Sequence, residues 1–433
     1  MKPVNPPAEV SRRGFFGTAG GLAVAAGALG PAQAAKLPAA HSGSVASVPF
    51  HGPHQSGILT PAQRHTYFAV FALDSDKRAD VIALLRQWTE VSARLARGEP
   101  AYPGSYTPDG SADPLPGDSG ETMGLPPENL TLTFGFGPGL FSKNGVDRYG
   151  LAGQRPAALV DLPKFNGDQL ITEKTGGDLS VQACADDPQV AFHAIRQLAR
   201  AAYGKASLQW TQTGFTGDSR KETPRNLMGF KDGSNNPATN QAALMRNVVW
   251  VGNEGPAWMR DGSYMVVRRV RIALEHWDRM PLDFQEQVVG RKKSSGAPLG
   301  KLHEHDAADL EAVDPDGELV VPEAAHIRLS AAANNGGTQM LRRGYSYHDG
   351  SNFHSERWPP WKQAVEFDAG LLFFCYQKDP RTSFIPTNHR LAGLDTMNQF
   401  TTHNGSGIFA CPPGVQAGSY LGAALFEAAA ASA

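Results

Sequence analysis

Thr66-Tyr67-Phe68-Ala69-Val70-Phe71-Ala72-Leu73 is a short run rich in apolar, aromatic and β-branched residues, and it reads as a buried strand. Beyond it, Val81, Ile82, Leu84, Leu85 and Trp88 recur at helical spacing, with Asp74 placed to cap the helix. Residues 97–128 are rich in Pro, Gly and Asp and read as a long loop. Leu130–Phe134 and Leu179–Cys184 are expected to be strands. Asp186-Asp187-Pro188 opens a helix to about Ala202, and Ser207–Thr213 is a further strand. The second half repeats the order. Ser263–Ala273 alternates as a strand, with a helix over about Leu274–Val289. Met340–Tyr347 and Leu371–Gln377 are expected to be strands, and a last helix is expected over about Thr382–Phe400. Each half therefore presents strand, helix, strands, helix, strand. This pattern predicts an α+β chain of two ferredoxin-like units with antiparallel sheets. No residue-level repeat links the halves, so the duplication is read from element order. The boundary falls between Asp218 and Asn240, giving units of 36–225 and 226–433.

The first residues have a separate logic. Ser11-Arg12-Arg13-Gly14-Phe15-Phe16 precedes an Ala/Gly-rich run from Gly17 to Gly30, and Pro31-Ala32-Gln33-Ala34-Ala35 brings small residues. Charged, then apolar, then small is the layout of an export signal, and the paired arginines make it the twin-arginine kind. The expectation is a leader over 1–35, cleaved after Ala34 or Ala35, with the twin-arginine machinery as a partner. The mature protein is then periplasmic, extracellular or held in the cell envelope. The apolar run is short for a membrane anchor.

With 40 basic and 42 acidic residues, no basic excess points to nucleic acid. Cys184, Cys375 and Cys411 are odd in number and cannot close a full disulfide framework. None lies in a C-x-x-C-H segment, which excludes covalent c-type haem attachment. A Rossmann glycine fingerprint, a P-loop and a G-x-S-x-G segment are all missing, so nothing supports a nucleotide enzyme or a serine hydrolase. The sequence is compatible with an oligomer.

Asn226-Leu227-Met228-Gly229-Phe230-Lys231-Asp232-Gly233-Ser234-Asn235-Asn236-Pro237 is the strongest internal signal. By itself, Gly233–Pro237 is a turn cluster. The run also resembles the dye-decolorizing (DyP-type) haem peroxidases, whose signature G-x-x-D-G is matched by Gly229, Asp232 and Gly233. It is similar to the twin-arginine-exported branch, which includes proteins described as deferrochelatases, and the resemblance extends from about His51 to Gly418.

The resemblance implies one non-covalent haem b per chain. It makes His326, in Ala324-Ala325-His326-Ile327-Arg328-Leu329, the axial ligand of the haem iron. It places Asp232 above the haem as the proton-transfer group. The distal arginine opens Met340-Leu341-Arg342-Arg343-Gly344-Tyr345. Arg342 aligns with it and Arg343 stays open, because on a strand only one of the two can face the haem. The proximal acid, which holds the ligand's second nitrogen, falls at Asp395. Arg328 is nominated to pair with a propionate, Asn236 to line the pocket, and Leu372 and Phe374 to pack over the haem.

The implied function is reduction of hydrogen peroxide at the expense of dyes, phenols or other bulky organic donors. A haem-handling protein that releases iron is the alternative, and a haem-free ferredoxin-like module is a third reading. His303-Glu304-His305 has the spacing of metal ligands, but its surroundings favour an exposed loop. His51 and His54 carry no assigned role. Several tryptophans and tyrosines, Trp358 and Trp361 among them, are candidates to carry oxidising equivalents, with core packing as the default.

Overall fold

β1 (His65–Leu73) is the first of nine strands found among the described residues. It is followed by β2 (Thr131–Phe136), β3 (Leu179–Ala185), β4 (Ala206–Phe215), β5 (Ser263–Ile272), β6 (Leu341–Arg342), β7 (Tyr345–Ser355), β8 (Gln363–Gln377) and β9 (Thr401–Cys411). The computed structural model describes residues 47–103, 117–355 and 363–431. The leader with its cleavage site, and Trp358 and Trp361, lie outside the described residues.

The lateral order is β2-β3-β1-β4 in the first half and β9-β5-β8-β7 in the second, all antiparallel. Read as first to fourth strand of its own half, each sheet has the order fourth, first, third, second. The ferredoxin-like unit is thus used twice. The two sheets also join, through Phe136 against Ala410 at one seam and Phe215 against Ser346 at the other. β6 and β7 behave as one strand interrupted at Arg343-Gly344, both lying along β8. The two halves therefore close into one barrel-like sheet.

Side-chain parity then defines two spaces. Phe68, Cys184, Trp210, Met265, Val267, Tyr345, Tyr347, Leu372, Phe374 and Phe409 point into the closed interior and pack on one another. Opposite them on β1, Ala69, Phe71 and Leu73 face outward beneath the helices Arg78–Leu95 and Pro188–Ala201. Leu84, Leu85, Trp88, Ile195 and Leu198 from those helices seal the outer face of the first sheet. Trp88 also donates its indole N–H to the Leu198 carbonyl at 2.9 Å. Asp187 caps the second helix, accepting from the backbone N–H groups of Gln189 and Val190. Asp74 does not cap the first. That helix starts after Lys77 without a side-chain cap, and the Asp74 carboxylate accepts from the Ser207 hydroxyl instead.

The second half is less regular than its pattern suggests. The helix expected over 274–289 is split into Leu274–Trp277 and Leu282–Val289, because Pro281 cannot continue the first piece. The helix expected to reach Phe400 is Phe384–Leu394. It stops at Asp395, whose carboxylate accepts from Met397 N and caps a tight turn over Thr396–Gln399. A final helix covers Ala423–Ala431. All three cysteines are free and buried. Helices do not fill the outer face of the second sheet as they fill the first. Arg268, Val270 and Ile272 of β5, Leu371 and Phe373 of β8, and Thr401 and His403 of β9 instead line a cavity.

Closure of the second sheet depends on Gly370, where a Cβ would sit 1.9 Å from the Val270 carbonyl oxygen of the neighbouring strand. Gly370→Ala forces β5 and β8 apart. The expected cost is about 1–3 kcal/mol, read as a lower urea midpoint at unchanged slope.

Candidate active site

The cavity measures about 280 Å³ and lies between the outer face of β5, β8 and β9, the helices His326–Ser330 and Phe384–Leu394, and the 226–237 loop. Apolar groups make much of its wall, including Val270, Ile272, Met340, Leu371, Phe373 and Leu391. Into this wall the sequence inserts a small number of charged groups from distant elements.

His326 is the first residue of its short helix. Its Nδ1 lies 2.6 Å from Asp395 Oδ2. Since a carboxylate only accepts, Nδ1 carries the proton of the neutral ring, leaving the Nε2 lone pair free. Nε2 has no partner among the described residues, and the ring borders the cavity. Asp395 is held as firmly: its other oxygen accepts from Met397 N at 2.8 Å, and Thr396 N is bonded to Ala324 O at 3.1 Å. Desolvation pulls the pKa of His326 down, but the charge and hydrogen bond of Asp395 outweigh it, so the imidazole is more basic than usual. The charges of Arg342 and Asp232 also reach it, the first lowering and the second raising its pKa.

Asp232 and Arg342 form a second pair on the same cavity, with Arg342 Nη1 3.3 Å from Asp232 Oδ1. Both side chains keep a little under a third of their surface accessible. Arg343 points the other way, through the sheet, and its guanidinium donates to Thr60 O and Gln63 Oε1. Strand parity thus separates the neighbours that the motif left open. Asn236 does not line the cavity. Its amide donates to Arg342 O at 2.8 Å and accepts from Arg342 N at 3.2 Å, pinning the Arg342 backbone to the signature loop.

Besides Asn236, three nominations are corrected. Arg328 does not reach the cavity. It lies two residues past His326, on the opposite face of the helix, and donates to the carbonyls of Leu310, Val321 and Pro322. Leu372 and Phe374 face the closed interior, where Phe374 packs edge-on against Phe68; their neighbours Leu371 and Phe373 line the cavity.

Other contributors escaped the sequence reading. Arg268 is fully buried and donates to Asp168, to His403 Nδ1 at 2.9 Å and to the Ser406 hydroxyl at 2.9 Å. Arg268, Asp168 and His403 all border the cavity. The visible signal was Arg268, Arg269 and Arg271 inside a largely apolar strand, which demands acids on both faces. Arg269 finds Asp349 and Asp368 on the opposite side. His54 stacks on Trp250 at 3.8 Å and donates from Nδ1 to Asp261 O at 2.8 Å, so it fastens the segment that precedes β1. Trp210, Trp250, Trp258, Trp277, Tyr345, Tyr347 and Tyr376 are all buried.

Comparison with known proteins decides the family. The Dyp-type peroxidase N-terminal model matches residues 55–216, and the C-terminal model matches 223–416. The chain belongs to the DyP-type peroxidase family. It is 38% identical to a Deferrochelatase of Shigella boydii over 97% of both chains. It is 41% identical to DtpA of Streptomyces lividans, solved as an X-ray generated oxyferrous complex, with a TM-score of 0.78 over 88% of this chain and 98% of that one. A DyP-type peroxidase of Cellulomonas bogoriensis is 37% identical, with a TM-score of 0.76 and coverage of 88% and 98%.

The cofactor of this DyP-type peroxidase is haem, and the cavity suits such a group. It offers one imidazole nitrogen with a free lone pair, an apolar wall for a flat ring, and a carboxylate–guanidinium pair for polar ligands.

His403 gives the site a pH signature. Desolvation and then the Arg268 charge push its pKa down to about 3 from 6.5. Between those values the unfolded chain protonates this histidine and the folded chain does not. Stability is therefore present above pH 6.5 and drains away as pH falls toward 3. Thermal midpoints across this range should fall less steeply for His403→Asn than for the parent protein.

Proposed function

We propose that this DyP-type peroxidase reduces hydrogen peroxide with Asp232 as the proton-transfer group and Arg342 as the charge stabiliser, while His326, oriented by Asp395, holds the haem iron. The observation that carries the reading is that the Asp232–Arg342 pair and the Asp395-bound imidazole border one apolar cavity. The redox chemistry comes from the bound haem, which exchanges electrons with peroxide and with the organic donor. Asp232 takes a proton from one peroxide oxygen and returns it to the other, which leaves as water. Arg342 presents its guanidinium to the negative charge that builds on oxygen as the O–O bond stretches. Asn236 fixes the backbone from which Arg342 reaches in. Asp395 keeps the proton on Nδ1 of His326 and makes Nε2 a stronger donor to a metal. With haem held in the cavity, dyes and phenols would be left its mouth, and such donors would exchange electrons there.

A second reading is favoured by the relatives named Deferrochelatase: the same site holds haem while iron is withdrawn from it. Export by the twin-arginine route is part of the proposal, supported by Ser11–Phe16 and the small residues before Lys36. N-terminal sequencing of the exported protein is expected to begin at Ala35 or Lys36, and material still starting at Met1 would count against export.

Asp232→Asn is expected to slow the bimolecular reaction of the haem-loaded protein with peroxide roughly 100- to 10,000-fold, with the Soret band retained. His326→Ala is expected to lose that band unless imidazole is added. Stopped-flow mixing with peroxide measures the first and an absorption spectrum the second. Fluorescence of iron-free porphyrin after incubation with haem, in the absence of peroxide, would favour the iron-releasing reading.

A further inference from the structure

Among the described residues, the Asp232 carboxylate is met by a single hydrogen-bond donor, Arg342 Nη1 at 3.3 Å. Its position is therefore set mainly by the backbone that carries it. That backbone is a turn between Gly229 and Gly233, at φ +86° and +123°, with Asp232 N bonded to Pro224 O. Both glycines occupy conformations that side chains rarely adopt, so the turn needs support from outside.

Glu304 supplies it. One oxygen of its carboxylate accepts from Lys231 Nζ at 2.6 Å, and the other accepts from the Ser234 hydroxyl at 2.9 Å. The Thr223 hydroxyl donates to it as well. The donors thus bracket Asp232 in the chain, one residue before it and two after. The Glu304 side chain is only 13% exposed. Its own backbone carbonyl accepts from Arg291 Nη1 at 2.9 Å, and Arg291 both holds Gly296 O and lines the cavity. The flanking His303 and His305 project outward, with His305 Nε2 3.9 Å from the Glu304 carboxylate. The H-E-H spacing therefore has a plain explanation: the acid turns in and both imidazoles turn out.

From this geometry we infer that Glu304 is a positioning residue for the peroxide reaction, clamping the Lys231–Ser234 turn to the cavity wall so that the Asp232 carboxylate faces Arg342. The inference rests on the reading of Asp232 as the proton-transfer group. The clamp is durable in acid. Burial alone would raise the pKa of Glu304, but Lys231, Thr223 and Ser234 hold it down at about 2, so it is largely ionised well into the acidic range. Glutamine has nearly the same volume but cannot accept at both oxygens or balance the Lys231 charge.

The test uses haem-loaded protein and reads the second-order rate constant with hydrogen peroxide, per bound haem, as a function of pH. Misplacement of a reacting group by an ångström costs on the order of 100-fold, and Glu304→Gln should lose roughly 10- to 100-fold on that basis. It should also move the pH midpoint of the rate, while haem content and Soret maximum stay as in the parent. Ser234→Ala, which removes one donor and leaves no charge unpaired, should be slowed less and moved in the same direction. A parent-like rate and midpoint in Glu304→Gln overturns the clamp, as does a variant that merely loads less haem at an unchanged rate per haem. If Glu304→Gln yields no holoprotein, Ser234→Ala decides by the same two readouts. Asp232→Asn runs alongside. If it reacts at the parental rate, the assignment of Asp232 has failed and the clamp falls with it. If it alone is slow, only the clamp has failed.

Discussion

A single hydrogen bond, from His326 Nδ1 to Asp395 at 2.6 Å, organises the chemistry of this molecule. It joins residues 69 positions apart and fixes which imidazole nitrogen is free. Everything near it serves the same constraint. The second Asp395 oxygen is occupied by a backbone N–H, and the loops carrying the two residues are tied by Thr396 N to Ala324 O. A ring so held has little freedom to swing, and the conformational cost of presenting a ligand nitrogen is met during folding.

The cavity exists because the two halves treat the same surface differently. In the first half, Leu84, Leu85, Trp88, Ile195 and Leu198 cover the outer face of the sheet. In the second, the helices Leu282–Val289 and Phe384–Leu394 and the 226–237 loop border a space over it instead. Several of the charged groups that enter that space are matched by opposite charges. Arg268 is balanced by Asp168, and on the far side of the strand Arg269 is balanced by Asp349 and Asp368. Removing one member of such a buried pair typically costs about 3–5 kcal/mol, so these strands tolerate few changes.

Much of this was legible in the residues, and the exceptions have physical causes. The repeated strand–helix order was visible because long apolar periodicities are local. The meeting of Asp232, His326, Arg342 and Asp395 at one cavity was reached through motif resemblance rather than spacing. Parity said only that one of Arg342 and Arg343 faces the site; the alignment favoured Arg342, and the structure turns Arg343 to Thr60 and Gln63. The same rule failed at Leu371–Phe374, where all four residues are apolar and either register satisfies the pattern. Only pairing with β5, a hundred residues earlier, decides which face looks into the cavity. Glu304 was invisible for a related reason: its donors lie some seventy residues upstream, and no local window contains both. The breaks at Pro281 and Asp395 were readable in principle, from a ring that ends a helix and an acid that starts a turn.

The seams of the closed sheet have their own consequence. Each rests on one bridging residue pair, Phe136 with Ala410 and Phe215 with Ser346, whereas the ladders within each half run for many residues. Strand pairing therefore welds each half internally and joins the two only at single pairs. Cohesion between the halves is shared by loop hydrogen bonds such as Gln169 N to His403 O and Gly176 N to Ser406 O, by Arg268 with Asp168 and Arg343 with Gln63, and by the ring contacts of Phe68 with Phe374 and Phe409 inside the closed sheet. Two regular ladders are thereby held as a single object without a long seam between them, by their shared lining and loops more than by their edges.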